Sequence, residues 1–155
     1  MFQSGTYEII DAIYYDDCTS DTHDRYSVNT SAGNTIEFDD NDECLVLTVG
    51  SSNRYVAADT TKSAFTLSDY TGKSVRFKVD VNPSRSCALQ IVQVVNGQNR
   101  VTPETLEYVS TATTLSLDAD IDENASRVQF RVTASGTGAT SGDTVDITNW
   151  TIYQI

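Results

Sequence analysis

The chain is dominated by segments in which apolar and polar residues alternate one by one. Residues 74–81 read SVRFKVDV, with an apolar side chain at every second position. The same alternation returns in residues 114–121 and 127–132. Because successive side chains on a β-strand point to opposite faces, each segment has one face for a core and one for solvent. The pattern predicts an all-β protein built from antiparallel sheets packed face to face.

About eleven short strands are predicted, separated by turn signals. The strongest signal is Asn96-Gly97, because both positions tolerate positive φ, and it predicts a hairpin joining residues 88–95 to 98–102. This many short strands favours an antiparallel two-sheet β-sandwich of jelly-roll topology over a seven-stranded immunoglobulin domain. We expect one domain over residues 1–155 and a single helical turn at 103–107. The strand candidates are residues 7–15, 25–29, 35–39, 44–49, 54–58, 64–68, 74–81, 87–95, 100–102, 114–121, 127–134 and 144–154.

The net charge and the distribution of apolar residues argue against two kinds of binding partner, nucleic acid and membranes. The formal net charge is −12, which argues against nucleic acid, whose phosphates would be repelled, and against an anionic membrane surface. No apolar run approaches the roughly 18 residues that a spanning helix needs, so we expect no membrane insertion.

Candidate catalytic and zinc chemistry is sparse. His23 is the one histidine, and Cys18, Cys44 and Cys87 have no CxxC spacing, so zinc is not expected. Cys44 and Cys87 precede strand candidates and are interpreted as buried free thiols, while a Cys18–Cys44 disulfide stays open. No Gly-x-Ser-x-Gly motif accompanies His23, and we expect no enzymatic activity.

Basic and amide side chains suggest a binding surface. Arg76 and Lys78 share a face of one predicted strand. Arg127, Gln129 and Arg131 share a face of another, and Gln90 and Gln93 lie on a third. If these strands are neighbours, the residues form one basic patch that hydrogen-bonds the hydroxyls or carboxylates of a glycan. The alternative is cross-strand pairing of the arginines and lysine with Asp80, Asp118 and Asp120.

Aromatic residues extend this hypothesis, because a sugar ring presents an apolar C–H face. Tyr70, at a turn, and Tyr108 are predicted to be exposed and to contribute to the ligand site. For Trp150 two placements are open. Strict alternation puts it on the face of Asp146 and Thr148, whereas a bulge at Asn149 would bury it.

Three segments resemble jelly-roll carbohydrate-binding modules of the galactose-binding-like type. The end of the chain, GDTVDITNWTIY at residues 142–153, resembles their last strand. Residues 74–79 and 87–95 resemble their paired central strands. The opening YYDDC at residues 14–18 is similar to the first strand of such modules in surface adhesins and phage tail or fibre proteins.

The resemblance implies a non-catalytic, adhesin-like module displayed outside the cell, on a virion or cell surface. Its partner would be a glycan or cell-surface polysaccharide. It also implies a structural Ca²⁺ held by Asp11 and by Asp16 or Asp17 near the start, with Asp146 on the last strand. The alternative is a structural virion protein, namely a decoration, capsid or fibre subunit that contacts other virion or surface subunits or copies of itself.

Overall fold

The computed structural model describes residues 12–134 and 140–155. Their ordered elements are almost all strands, joined by three short 3-10 helices at His23–Arg25, Thr30–Ala32 and Leu67–Asp69. The eleven strands are β1 (Ala12–Asp16), β2 (Ser27–Val28), β3 (Thr35–Asp39), β4 (Cys44–Thr48), β5 (Tyr55–Asp59), β6 (Ser74–Pro83), β7 (Cys87–Val95), β8 (Gln98–Thr102), β9 (Thr113–Asp120), β10 (Ala125–Ala134) and β11 (Thr144–Gln154).

The strands form two antiparallel sheets. The six-stranded sheet has the order β3-β4-β11-β6-β9, and β1 pairs with the second half of β11, beyond the end of β4. The five-stranded sheet has the order β2-β5-β10-β7-β8. The two-sheet sandwich predicted from the alternation is confirmed. None of the helices in the described ranges is long and apolar enough to cross a membrane.

The core lies between the sheets and is filled by the apolar alternate positions of the strands. Three rings from the two sheets contact one another at its centre. Phe77 on β6 packs against Phe130 on β10 at 5.5 Å between ring centroids, and against Trp150 on β11 at 5.2 Å. Aromatic pairs at this separation add to the free energy gained from burial alone.

The local backbone structure confirms one of the predictions made from the sequence and contradicts two others. Asn96 and Gly97 have φ of 53° and 75° and join β7 to β8, so the predicted hairpin is confirmed. The strand predicted at 64–68 is wrong, because turn hydrogen bonds from Phe65 N–H to the Lys62 carbonyl curl the chain and bury the Phe65 ring. The helical turn predicted at 103–107 is also wrong, since that segment has no helix.

A bulge in β11 places Trp150 in the core. Asn149 adopts φ of 51°, and the register with β6 shifts between Thr148 and Thr151. The extra residue reverses the alternation, so that Trp150 turns inward and is fully buried. Of the two placements left open by the sequence, burial through a bulge is confirmed.

The three cysteines are free and buried, so the open Cys18–Cys44 pairing is not formed. Burial raises the pKa of the Cys44 thiol to about 11 and that of Cys87 to about 12. Thiols with such pKa values are protonated at neutral pH and unreactive, and the interpretation of Cys44 and Cys87 as buried thiols is confirmed.

Candidate functional site

The outer face of the five-stranded sheet carries polar side chains in adjacent rows. On β10, Val128, Phe130 and Val132 point into the core, so Arg127, Gln129 and Arg131 point outward. The antiparallel register then fixes their neighbours. It pairs Gln129 with Asp59 of β5 and Arg131 with Gln90 of β7.

These rows form a shallow cleft of about 120 Å³, which we call the β10 cleft. Two arginines and two apolar residues contribute to its lining, and none of the carboxylates in the described ranges does. The lining residues are Tyr55, Val92, Val94, Asn99, Arg127, Gln129 and Arg131.

Asp59 anchors one end of the cleft. Its side chain is 1% exposed and accepts hydrogen bonds from Arg127 Nε at 3.1 Å, Arg127 Nη2 at 2.5 Å and Gln129 Nε2 at 2.8 Å. The Thr61 N–H adds a fourth bond at 3.0 Å. Although burial acts to raise the pKa of Asp59, these hydrogen bonds, that of Arg127 foremost, lower it to about 2. The carboxylate is therefore ionised and holds Arg127 and Gln129 in place.

Arg131 is held at the centre of the cleft by three neighbours. Its Nη2 donates to Gln129 Oε1 at 2.6 Å, and its Nη1 donates to Gln90 Oε1 at 3.3 Å. The guanidinium carbon lies 3.9 Å from the centroid of the Tyr55 ring, in a cation–π contact. Nε is buried without a hydrogen-bond partner in the protein. Burial lowers the pKa of Arg131, which means that its surroundings disfavour the charge.

The structure divides the basic patch predicted from the sequence. Gln90, Gln129 and Arg131 lie together, but Arg76 and Lys78 are on β6, whose outer face belongs to the other sheet. The prediction of one patch is therefore wrong, because β6 and β10 are not neighbours. Arg76 instead forms a bidentate ion pair with Asp118 of β9, at 2.7 and 2.8 Å, as the pairing alternative expected.

The two tyrosines selected from the sequence lie in different environments. The prediction that Tyr70 is exposed is wrong: it is 2% exposed, and its ring packs on Phe130 at 5.2 Å because the turn directs it inward. Tyr108 is 38% exposed, so its exposure is confirmed, but it does not line the β10 cleft. Tyr55, which does line the cleft, was not selected, because alternation shows the face of a residue and not the neighbours that it will meet.

Of the residues chosen for calcium, the structure describes Asp16, Asp17 and Asp146, and these three are not grouped around one site. Asp17 Oδ1 accepts hydrogen bonds from the backbone and hydroxyl of Thr19, closing a local turn. Burial, followed by the charges of Asp42 and Asp39, raises the pKa of Asp146 on β11. In the described residues no three His, Cys, Asp or Glu side chains are grouped so that they could hold a metal. Asp11 lies outside the described residues, and calcium binding stays a prediction.

Asp16, the remaining candidate near the start, is engaged inside the protein. Its Oδ2 accepts hydrogen bonds from the hydroxyls of Thr22 at 2.6 Å and Tyr26 at 2.7 Å. Its Oδ1 accepts one from the Cys18 N–H at 2.9 Å. These bonds tie β1 to the segment that follows it.

A second and larger cleft, of about 570 Å³, lies on the outer face of the six-stranded sheet. Three carboxylates contribute to its lining, those of Asp42, Asp80 and Asp146. Asp80 accepts hydrogen bonds from the Thr114 hydroxyl at 2.5 Å and from Asn149 Nδ2 at 2.8 Å. We call this surface the acidic face.

No protein-family model and no curated protein matches the sequence. The structure is similar to that of the CBM22-2 xylan-binding domain from Paenibacillus barcinonensis Xyn10C, with a TM-score of 0.64 and 8% identity over 93% of this chain and 100% of that one. It is similar to the C-terminal family 22 carbohydrate-binding module of Clostridium thermocellum Xyn10B, with a TM-score of 0.62 and 11% identity over 93% and 94%. It is also similar to apo BiXyn10A CBM1, with a TM-score of 0.57 and 16% identity over 92% and 98%. The chain thus has the β-sandwich, jelly-roll fold of carbohydrate-binding modules.

Proposed function

We propose that this chain is a non-catalytic module that binds a glycan in the β10 cleft. The observation that carries the proposal is the fixed position of Arg131, which two glutamines and the Tyr55 ring hold on the outer face of a sheet. Polar side chains on an outer face ordinarily move freely in water. Here they are already ordered, so a ligand would not have to supply that ordering free energy.

The chemistry of the cleft suits a sugar. Guanidinium and amide groups of Arg131, Gln129 and Asn99 offer donors and acceptors for hydroxyl groups. Val92 and Val94 supply apolar surface for the C–H face of a sugar ring. A cleft that combines apolar surface with a few convergent polar groups is typical of small-ligand sites.

The lining of the cleft supports binding over hydrolysis. Glycoside hydrolysis ordinarily uses two carboxylates that flank the scissile bond. Among the residues that the structure describes, no carboxylate lines the β10 cleft, and Asp59, beside it, is engaged by Arg127, Gln129 and the Thr61 N–H.

The likeness of fold suggests which glycans to test first. One of the similar structures, that of Paenibacillus barcinonensis Xyn10C, is named as a xylan-binding domain, so xylan is a natural first probe. The proposal also includes the predicted setting of the module, outside the cell on a cell or virion surface, where polysaccharides are accessible. The resemblance of its first strand to phage and adhesin modules supports that setting.

The test is a glycan array that includes xylans, followed by titration of each hit. We expect Tyr55→Ala to weaken binding at least about tenfold, or about 1.4 kcal/mol, because Arg131 loses its stacking partner. The matched control is Arg76→Ala, which removes an arginine from the other sheet and should leave affinity unchanged.

Equal losses in Tyr55→Ala and Arg76→Ala would contradict the placement of the site. A blank array combined with self-association at micromolar concentration would contradict glycan binding altogether. That result would favour the alternative of a virion subunit acting through protein–protein contacts.

A further inference from the structure

Arg131 differs in its partners from the four arginines that form ion pairs in the described residues. Four arginines in the described residues form ion pairs with aspartates, namely Arg76, Arg85, Arg100 and Arg127. Arg131 contacts two neutral amides and an aromatic ring, and within the described ranges it pairs with no carboxylate. A partly buried charge without a counter-charge is costly to the folded protein, and a bound anion would offset this cost.

The charges of the β10 cleft also favour an anionic ligand. Arg127 and Arg131 line it, whereas Asp59, the carboxylate bonded to two of the lining residues, is already paired with Arg127. Pairing Asp59 with Arg127 leaves the charge of Arg131 in excess. This small positive site lies in a chain whose net charge is −12, so the charge of the cleft is opposite in sign to that of the whole chain.

The donors of Arg131 are incompletely used. A guanidinium carries five N–H donors, and two of them bond to Gln90 and Gln129. Nε is buried without a partner, so the donors left for a ligand are the second N–H groups of Nη1 and Nη2, which lie in the same plane. Arginine binds carboxylates through such planar donor sets, with stronger hydrogen bonds than a neutral hydroxyl would accept.

We propose that the β10 cleft selects glycans that carry a carboxylate, as uronic acids do, with Arg131 as the cation that binds it. The inference rests on the proposed glycan-binding function and names its substrate class. Arg131 is a binding residue in this view, and Gln90, Gln129 and Tyr55 position it.

The experiment compares matched ligands on the whole chain. The probes are glucuronoxylan and polygalacturonate, each beside the same polymer after chemical reduction of its carboxyl groups. Titrations at about 0.15 M salt limit the reach of the overall negative charge, because the Debye length is then about 8 Å. We expect at least one carboxylated polymer to bind about tenfold or more tightly than its reduced form.

Two variants test the role of Arg131. Arg131→Gln should abolish the preference for the carboxylated polymer, and Arg131→Lys should keep part of it, because the charge remains without the planar donors. Arg76→Gln is the control and should keep the whole preference. Thermal unfolding checks that each variant is folded, and the comparison of matched polymers on the wild-type protein needs no variant.

The outcomes separate the inference from the proposed function. Binding of both members of a pair within about twofold would overturn the carboxylate preference and leave glycan binding intact. Failure to bind any carboxylated or reduced polymer, or any glycan on the array, would overturn both. A preference that survives in Arg131→Gln would overturn the assignment to Arg131.

Discussion

The two outer faces of the sandwich carry clefts of opposite character. The acidic face has the larger one, about 570 Å³, lined by Asp42, Asp80 and Asp146. The β10 cleft is about 120 Å³ and has two arginines and no carboxylate in its lining. Cleft size alone would select the acidic face. The ordering of polar groups selects the other one, because only there does an engaged carboxylate hold arginine and glutamine side chains in place.

The two faces also differ in how their ion pairs are buried. Asp118, paired with Arg76 beside the acidic face, has 47% of its side chain exposed. Asp59, paired with Arg127 on the other face, has 1% exposed. Exposed ion pairs contribute little to stability, whereas loss of one partner from a buried pair leaves unsatisfied groups behind. The contrast gives three predictions.

The largest expected effect is that of Asp59→Asn. The amide keeps the shape of the side chain but removes the charge that holds Arg127 and Gln129, so we expect the free energy of unfolding to fall by about 3 kcal/mol. Urea unfolding followed by circular dichroism measures it. Asp118→Asn is the matched control and should unfold at the wild-type midpoint within error. Equal losses in the two variants would remove the contrast between the faces.

The second prediction concerns acid. Hydrogen bonds lower the pKa of Asp59 in the folded protein to about 2, from an ordinary value of 3.8. Because the pKa of Asp59 is lower in the folded than in the unfolded protein, its ionisation stabilises the fold fully at pH values above the unfolded pKa. This stabilisation is lost as the pH falls from about 4 through about 2. The shift corresponds to about 2 kcal/mol.

Unfolding of wild type and Asp59→Asn at pH 7, 4, 3 and 2 therefore tests the assignment. The difference in the free energy of unfolding between the two proteins should be constant from pH 7 to about pH 5. At lower pH it should shrink by about 2 kcal/mol. A difference independent of pH down to 2 would show that Asp59 is not the group whose ionisation stabilises this face.

The smallest expected effect concerns Asn149, whose side chain reaches Asp80 on the acidic face. Its φ of 51° is strained for a β-branched residue, so Asn149→Val should be about 1 to 2 kcal/mol less stable than Asn149→Gly. Both variants lose the side-chain hydrogen bonds, so their difference in thermal unfolding isolates the backbone. Equal stability would mean that the bulge does not depend on this conformation.

Alternation along the chain was sufficient to predict the long regular strands, such as β6, and which of their residues face the core. Phe77 is buried and Arg76 exposed as the pattern in residues 74–81 indicates, and Asn96-Gly97 forms its hairpin. These features depend on neighbours a few residues apart, and short-range chemistry determines them.

The site was only partly predictable because it depends on long-range pairing. Asp59 and Arg127 are 68 residues apart in sequence, and only the order of β5 and β10 in the sheet brings them together. Arg76 lies in the other sheet because β6 pairs with β9 and β11 and not with β10. The prediction that Tyr70 is exposed is wrong for a related reason. Its turn directs the ring into the core, and a local sequence pattern cannot indicate this.

The bulge at Asn149 divides β11 into two halves that differ in which positions face the core. Before it, Val145 and Ile147 occupy the odd positions that face the core; after it, Trp150 and Ile152 do so from even positions. Deletion of Asn149 would remove the extra residue, and plain alternation from Ile147 would still direct the Trp150 indole into the core. Loss of the bulge without a deletion would instead turn the indole outward and Thr151 inward, so a strand of this length keeps both of its halves in the core only if it is bulged.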